Sequence, residues 1–320
     1  MDTAMEAVVI ERPGEPPRVR ERPAPEPGDG EVLVTVAAAP ITPLDRLCAS
    51  GTSYFGVPEV PYVPGVQGVG VDAGGRPVWF ATSAGMRPGD GSMRARAAAP
   101  AGDVVALPEG ADAVLVAALG LSAVAAHMAL GWRGGLAAGE RVLVLGAGGV
   151  VGQAAVQLAR TAGAARVVAA ARSAKDRDRA LDLGADAVVA LEDADDVAGI
   201  AERMNQACDG PVDLVLDPLF GVPAAAALRA LRPGGRLVNL GGSAAEISPI
   251  DSSTLRSRSL RILGYTNNDL TAEQRRAALE HVVGEAVAGR LTVAHERVPL
   301  ADAHRAWSRP GRVVLVPQEA

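Results

Sequence analysis

RVLVLGAGGVVGQAAVQLAR, residues 141–160, carries the strongest structural signal in the chain. Residues 141–145 are a short run rich in Val and Leu, which is typical of a strand buried on both faces of a parallel sheet. Glycines then cluster at positions 146–152, and residues 153–160 have the composition of a helix. A strand, a glycine turn and a helix in this order form an anion site, because unpaired amides at the helix start lie at the positive end of the helix dipole. The stretch therefore predicts a dinucleotide pyrophosphate site.

The glycine spacing is a variant of the strict GxGxxG fingerprint. Val151 occupies the place of the third glycine, whereas Gly146, Gly149 and Gly152 recur every three residues. This variant still allows the tight turn, the close backbone approach to a ligand and the helix packing that the glycines serve. The alternative is a glycine-rich turn without a chemical role, because isolated motif matches carry a false-positive risk. We expect these glycines, with Val150 and Val151, to bind the dinucleotide.

Length and composition indicate a globular protein of two domains. A chain of 320 residues exceeds one hydrophobic core, and its composition is 48% apolar and 21% charged. A net charge of -6 and a pI near 5.4 do not indicate the basic surface that would attract a nucleic acid or an anionic membrane. The longest apolar segment, residues 113–126, is short for a membrane span, and two cysteines are too few for a disulfide framework. We expect a cytoplasmic protein with no nucleic-acid or membrane partner.

The pattern of elements changes near residue 112. Before it, short strand patterns alternate with prolines and glycines, and the chain includes one short helix at residues 43–49. After it, a helix over residues 112–130 precedes alternating strand and helix patterns, which predict a doubly wound parallel sheet. The six strands expected in this sheet are residues 141–145, 166–170, 187–190, 212–216, 236–240 and 260–263.

Segments with a distinctive order and spacing extend over nearly the whole chain: EVLVTVAAAPITPLD, VPGVQGVGV, VVALPEG, ALGLSAVAA, DLGADAVV, VDLVLDP, LRPGGRLVNLGG and AHRAWSRPGRVVLVP. Together with the glycine stretch, their order resembles the medium-chain dehydrogenase/reductase superfamily, and within it the zinc-independent quinone oxidoreductase-like (enoyl reductase-like) branch. The resemblance implies an α/β fold in which a Rossmann domain, residues 123–268, is inserted into a mostly β GroES-like catalytic domain, residues 1–122 and 269–320.

The chain departs from the zinc alcohol dehydrogenases of this superfamily at the metal-ligand positions. In those enzymes a cysteine ligand lies three residues before an aspartate, whereas Thr42 stands at that place before Asp45. Their PGHE segment supplies histidine and glutamate, and Val66 and Gln67 replace these residues here. Because Zn²⁺ binds thiolate, imidazole and carboxylate groups, we expect no metal site and no alcohol oxidation by a Lewis acid.

The segment after the second Rossmann strand predicts the coenzyme. An acidic residue about 20 positions beyond the glycines would bind the ribose 2'-hydroxyl of NAD. Here the strand ends in Arg172, Ser173 and Lys175, and the first carboxylate is Asp176. A guanidinium with further donors suits a phosphate group. The alternative is a solvated helix start with mixed charges. We expect NADP(H).

The resemblance implies further coenzyme contacts. Gly241 and Gly242 would let the backbone approach the nicotinamide ribose, and Thr42 and Ser122 would contact the nicotinamide half. For Ser122 the alternative is simple helix packing, because small polar residues are frequent where alanine-rich elements meet.

Tyr54, Tyr265 and Asn267 are the candidate catalytic residues. A tyrosine hydroxyl can donate to a carbonyl oxygen as hydride reaches the conjugated carbon, and an amide can bind the same oxygen. The competing interpretation is that both rings line an apolar pocket while water supplies the proton, because this branch has no universal catalytic acid.

The sequence as a whole predicts an NADPH-dependent oxidoreductase that transfers hydride to an enone, an enal or a quinone without zinc. Two alternatives stay open: an inactive NADPH-binding relative, and an alcohol dehydrogenase with substituted metal ligands. RSLRILGY contains the last Rossmann strand, which we expect at a sheet edge. Uncovered edges invite pairing with another chain, so we also expect a homodimer through this strand.

Overall fold

The computed structural model describes residues 4–192 and 194–317. They divide into two compact units. The first comprises the described residues up to Gly120, together with Leu279–Val287 and the residues from Ala294 onward. The second comprises Leu121–Ala278 and Ala288–Val293. The domain limits expected near residues 122 and 269 stay a prediction.

The described residues form strands and helices in the following order along the chain. The strands are β1 (Met5–Val9), β2 (Arg18–Arg22), β3 (Glu31–Ile41), β4 (Gln67–Asp72), β5 (Pro77–Ala81), β6 (Arg96–Pro100), β7 (Val104–Ala106), β8 (Arg141–Leu145), β9 (Arg166–Ala171), β10 (Ala187–Ala190), β11 (Val212–Asp217), β12 (Leu231–Asn239), β13 (Arg261–Gly264), β14 (His295–Pro299) and β15 (Arg312–Val316). The helices are α1 (Pro43–Ser50), α2 (Ala113–Met128), α3 (Val150–Thr161), α4 (Ala174–Asp182), α5 (Val197–Cys208), α6 (Gly221–Leu228), α7 (Ser252–Arg258), α8 (Ala272–Val287) and α9 (Ala303–Ala306).

The first unit is mostly β, as predicted. Its larger sheet has the strand order β14-β15-β3-β4-β5-β7, with β6 paired to β3, and β1 pairs with β2 in a separate hairpin. Strand β2 was not predicted, because its sequence RVRER is charged and lies among prolines. It is held by antiparallel pairing to β1, in which Val19 is opposite Val8.

The second unit contains the predicted six-stranded parallel sheet, in the order β10-β9-β8-β11-β12-β13. Strand β8 is central, and Val142, Leu143, Val144 and Leu145 are all buried, which explains the unbroken apolar run. The order of the strands reverses between β8 and β11, so ligands of such a sheet bind beyond the carboxyl ends of these two strands. Strand β13 is at an edge, as expected.

The helix expected over residues 112–130 is interrupted. Gly120 has φ of +31° and ψ of -133°, which is not a helical conformation. A Cβ atom there would lie 2.0 Å from Oε1 of Gln67, so only glycine fits. The kink was not predicted, because its cause is a side chain more than fifty positions away along the chain.

The helical stretch Ala113–Arg133 is longer than the apolar segment recognised in the sequence. It includes a π-helical turn, Ala129–Arg133, and its 21 residues have the length and apolar composition of a membrane span. Within its most apolar window, 67% of the residues are buried inside the fold, and a core helix of a folded domain meets the same criteria.

Candidate functional site

The glycine turn joins β8 to α3 in the second unit. Gly146 has φ of +64°, in the left-handed region that favours glycine. A Cβ atom built on Gly152 would lie 2.4 Å from the carbonyl oxygen of Gly146, so the helix start and the turn are in backbone contact. The Ala147 amide donates to the Ala170 carbonyl at 3.0 Å, which ties the turn to the end of β9. Two of the three glycines are therefore required by the packing of the turn itself.

Gly149 is different, because protein packing does not require it. A Cβ atom there would meet only the Gly146 carbonyl oxygen, at an ordinary 3.6 Å, and the residue is exposed. Helix α3 begins at Val150, and the amides of its first turn, those of Val150, Val151 and Gly152, have no acceptor within the helix. Free space beside Gly149 and amides at the positive helix end fit a phosphate group. The turn thus fits a dinucleotide pyrophosphate.

A buried carboxylate holds the loop after β11. Asp217 Oδ1 accepts hydrogen bonds from the amides of Leu219 and Phe220, at 2.9 Å and 2.8 Å. Its Oδ2 accepts from Nδ2 of Asn239, at the end of β12, at 3.0 Å. Burial raises the pKa of the Asp217 carboxyl, and these hydrogen bonds oppose that rise. Sequence reasoning missed this network, although a polar residue directly after a buried strand was a signal for it.

The backbone of this loop is strained at Phe220. Its φ of +57° and ψ of -151° lie in a region that is almost restricted to glycine. The hydrogen bond from the Phe220 amide to Asp217 holds the residue in place. Its half-buried ring packs against the core of the second unit.

The loop after β12 completes the arrangement. A Cβ atom on Gly241 would lie 3.0 Å from the Pro218 carbonyl oxygen, and Ser243 donates to that oxygen through its amide and its hydroxyl. A Cβ atom on Gly146 would lie 3.1 Å from Cγ of Pro218. Gly242 is adjacent and half-buried. The structure therefore brings the glycine turn and the Gly241 loop together around the loop after β11, at one end of the sheet.

The residues predicted to bind the 2'-phosphate surround the start of α4. Arg172 and Lys175 are exposed, and neither side chain forms an ion pair with a described residue. Ser173 is the N-cap of α4: its oxygen accepts from the Asp176 amide, and its hydroxyl donates to Oδ2 of Asp176 at 2.6 Å. The Ser173 proton is therefore engaged within the protein, whereas the two cations are available. Their contact with a phosphate stays a prediction.

Tyr265 and Asn267 form a hydrogen-bonded pair in the second unit. The Tyr265 hydroxyl donates to Oδ1 of Asn267 at 2.7 Å, and Nδ2 of Asn267 donates to the Leu121 carbonyl at 3.0 Å. This carbonyl directly precedes Ser122, so the pair lies beside the predicted nicotinamide residue of the same unit. Burial strongly raises the pKa of the Tyr265 hydroxyl, with a smaller effect of the Asp269 charge in the same direction. Tyr265 is a protonated group whose proton is directed at Asn267.

Thr42 and Asp45 form a capping box at the start of α1, in the first unit. Thr42 donates to Oδ2 of Asp45 through its amide at 2.8 Å and its hydroxyl at 2.6 Å. The amides of Gly65 and Val66 donate to Oδ1, at 3.1 Å and 2.9 Å. Burial raises the pKa of Asp45, while these hydrogen bonds and the nearby charge of Arg312 oppose the rise. Asp45 therefore joins the start of α1 to the segment before β4, and only a lone pair of the Thr42 oxygen is left for a coenzyme.

Tyr54 also belongs to the first unit. It is 76% exposed, and its ring packs against that of Phe55 at a centroid distance of 4.3 Å. The structure therefore assigns Tyr54 to the unit that holds Thr42, and Tyr265 and Asn267 to the unit that holds the glycine turn. The catalytic role of Tyr54 stays a prediction.

The positions that hold zinc in related alcohol dehydrogenases have other chemistry here. The Thr42 hydroxyl donates to Asp45, Val66 is aliphatic, and Oε1 of Gln67 accepts from Nε1 of buried Trp79 at 3.1 Å. Among residues 4–192 and 194–317, no group of three His, Cys, Asp or Glu side chains is placed to hold a metal ion. This donor set does not fit Zn²⁺.

Comparisons with known proteins agree with the geometry. The sequence pattern of the family described as "Zinc-binding dehydrogenase" matches residues 150–283. The quinone oxidoreductase of Sus scrofa is 30% identical over 267 residues, which cover 80% of this chain and 78% of the pig protein. A trans-enoyl reductase of Aspergillus terreus is 32% identical over 232 residues, which cover 64% of this chain and 75% of the fungal protein.

A solved structure covers nearly the entire chain. The quinone oxidoreductase from Thermus thermophilus, whose crystal structures include a complex with NADPH, is 33% identical with a TM-score of 0.77. The match covers 98% of this chain and 100% of the Thermus chain. Together with the glycine turn and the six-stranded sheet, these likenesses confirm the predicted resemblance and the predicted coenzyme. The chain belongs to the medium-chain dehydrogenase/reductase superfamily, in its quinone oxidoreductase-like branch, and is an NADP(H)-dependent oxidoreductase.

Proposed function

We propose that this protein uses NADPH to reduce the electron-poor C=C bond of an enone or enal, or a quinone, without zinc. The observation that carries the proposal is the donor set of Thr42, Val66 and Gln67, which cannot replace the ligands of a catalytic zinc. The relatives named quinone oxidoreductase and trans-enoyl reductase support the same substrate classes. A conjugated acceptor suits a metal-free site, because its own carbonyl group delocalises the charge that hydride addition creates.

The bound coenzyme supplies the hydride, and the protein supplies binding and orientation. The amides of Val150, Val151 and Gly152 would hold the pyrophosphate, and Arg172 and Lys175 would hold the 2'-phosphate. The Gly241 loop, fixed by Pro218, would carry the nicotinamide ribose. Asp217 and Asn239 hold the loops after β11 and β12 through contacts within the protein.

Asn267 is the better carbonyl donor of the tyrosine–asparagine pair. Its Oδ1 accepts from Tyr265, and one of its two amide protons is used by the Leu121 carbonyl. The second amide proton is left to donate to a substrate oxygen. Tyr265 acts through Asn267, because its hydroxyl fixes which way the amide faces. In this proposal water supplies the proton that completes the reduction.

We expect Asn267→Ala to lower kcat about ten-fold, because loss of one hydrogen bond to the developing charge costs roughly 1–2 kcal/mol. KM for NADPH should change less than two-fold, since Asn267 is not assigned to the phosphates. Tyr265→Phe should show a smaller loss of kcat, because the amide remains but loses one orienting bond. Steady-state kinetics on one enone measures both. Equal kcat values for wild type and Asn267→Ala would contradict this role.

The function is tested by following NADPH oxidation with a panel of quinones, enones and enals. A second assay follows NADP⁺ reduction with a saturated alcohol. We expect turnover of at least one conjugated acceptor that is unchanged after dialysis against a chelator. Tight NADPH binding without turnover of any acceptor would favour the inactive relative. Alcohol oxidation that needs added Zn²⁺ would favour the alcohol dehydrogenase.

We also propose a homodimer that pairs two copies of β13. This strand is at the sheet edge, and Ile262 on it and nearby Trp132 are 38% and 48% exposed. Arg133, next to Trp132, donates to the Gly264 carbonyl at 2.8 Å, so this aromatic side chain lies beside the edge. Light scattering at micromolar concentration should give twice the chain mass. A monomeric mass, or an unchanged dimer in Ile262→Asp, would contradict pairing through this edge.

A further inference from the structure

A carboxylate lies against the glycine turn at the start of α4. A Cβ atom built on Gly148 would lie 2.7 Å from Oδ2 of Asp176, so this carboxylate oxygen touches the turn. The same oxygen accepts from the Ser173 hydroxyl, 2.6 Å away, directly beyond the end of β9. Asp176 thus bridges the turn and the end of the second strand.

This is the place where a Rossmann fold carries the adenosine ribose. The pyrophosphate binds at the helix start after the glycines, and the ribose hydroxyls or the 2'-phosphate are recognised at the end of the second strand. A group that contacts both elements therefore faces the adenosine ribose. Asp176 is the carboxylate that the structure places there.

Only some of the cations around the Asp176 carboxylate interact with it. Arg179 pairs with the other oxygen of Asp176, Oδ1, at 3.3 Å. Arg177 donates to the carbonyls of Ala171 and Arg172, so it caps the strand end. Arg172 and Lys175 form no ion pair with a described residue. Two cations without an ion pair to a described residue and one carboxylate therefore lie around the start of α4.

We propose that Asp176 is a specificity-determining residue, which opposes the 2'-phosphate of NADPH and accepts a hydrogen bond from the ribose hydroxyl of NADH. Arg172 and Lys175 favour NADPH, and Asp176 limits that preference, so the protein also binds NADH. The inference rests on the coenzyme placement given under the proposed function. It concerns binding alone, so it holds or fails separately from the substrate class.

The test is the dissociation constant of NADPH and of NADH, measured by fluorescence titration without any acceptor, for wild type and Asp176→Asn. Asparagine keeps an acceptor for Ser173 and removes only the charge. We expect NADPH to bind about five-fold more tightly, a change of about 1 kcal/mol, and NADH to bind more weakly. The ratio of the dissociation constant of NADH to that of NADPH should rise about ten-fold. High salt should shrink the gain for NADPH, because screening weakens like-charge repulsion.

The matched control is Asp178→Asn, which removes one negative charge from the exposed surface of the same helix. It should change the ratio less than two-fold. Arg172→Ala should lower this ratio, because NADPH loses a contact to its 2'-phosphate and NADH does not. Asp176→Ser serves as a second variant if the asparagine variant unfolds. A ratio within two-fold of wild type in a folded Asp176 variant, or an equal change in Asp178→Asn, would overturn the proposal.

Discussion

Gly152→Val should weaken NADPH binding at least 100-fold. A Cβ atom at this position would lie 2.4 Å from the Gly146 carbonyl oxygen and 2.6 Å from Cα of Ala147. Both are backbone atoms of the glycine turn, so the turn must move to make room. That movement displaces the first amides of α3 from the pyrophosphate, and overpacking of this kind costs about 1–3 kcal/mol of stability. Fluorescence titration with NADPH measures the binding, and urea unfolding measures the stability.

Gly149→Ala is the control for the loss of stability, because it adds a side chain to the same turn without overpacking. Its Cβ atom would meet only one protein atom, 3.6 Å away, and the φ of -80° at this position suits alanine. We expect its stability to stay within about 1 kcal/mol of wild type, the usual range for an N-cap change. NADPH binding should still weaken, because the methyl group occupies the space assigned to a phosphate. Wild-type affinity in Gly152→Val would contradict the assignment of the turn.

Asp45→Ala should lower the free energy of unfolding by about 3–5 kcal/mol, the cost of breaking a buried charged network. Asp45 is 2% exposed and accepts hydrogen bonds from the Thr42 amide and hydroxyl and from the amides of Gly65 and Val66. Alanine leaves these donors without their acceptor. It also removes a negative charge near Arg312, whose pKa burial lowers to about 10. Urea unfolding measures this loss of stability. The midpoint should fall to a lower urea concentration, while the dependence of the free energy of unfolding on urea concentration stays the same.

Two substitutions separate the network from a general effect of charge. Thr42→Val removes a hydroxyl that donates to Oδ2 of Asp45 and accepts from the Asp45 amide, and it should cost about 1–2 kcal/mol, the typical value for loss of a helix N-cap. Asp29→Ala removes an exposed carboxylate of the same unit and should change stability by less than about 0.5 kcal/mol. An Asp45→Ala variant as stable as Asp29→Ala would show that the capping box does not hold the segment from α1 to β4.

The features that the sequence predicted correctly depend on local pattern. Residues 141–145 form the central strand because an apolar run without alternation suits burial on both faces. Strand β2 and the kink at Gly120 were missed for a different reason: pairing with β1 fixes the former, and Gln67 fixes the latter. Both causes are contacts with another segment of the chain, and the pattern within one segment does not encode them.

The same distinction applies to the candidate site. The residue types that bind coenzyme could be identified, because glycines and cations have the same chemistry wherever they lie. The direction of each hydrogen bond could not be predicted. Ser173 and Thr42 stay predicted coenzyme contacts, but the sequence did not show that both hydroxyl protons are donated to aspartates of their own helices. Asp217 and Asn239 were missed because their pairing depends on the order of strands in the sheet.

The most direct test of a zinc-free, NADPH-dependent reductase is isotope transfer. Protein dialysed against a chelator, with its zinc content measured, is mixed with NADPH carrying deuterium at the transferable position and with an α,β-unsaturated ketone. Mass spectrometry and NMR then locate the label. We expect one deuterium at the β-carbon of the saturated product, in the same yield with and without added Zn²⁺. A product without label, or labelled product that forms only after Zn²⁺ is restored, would contradict the proposed chemistry.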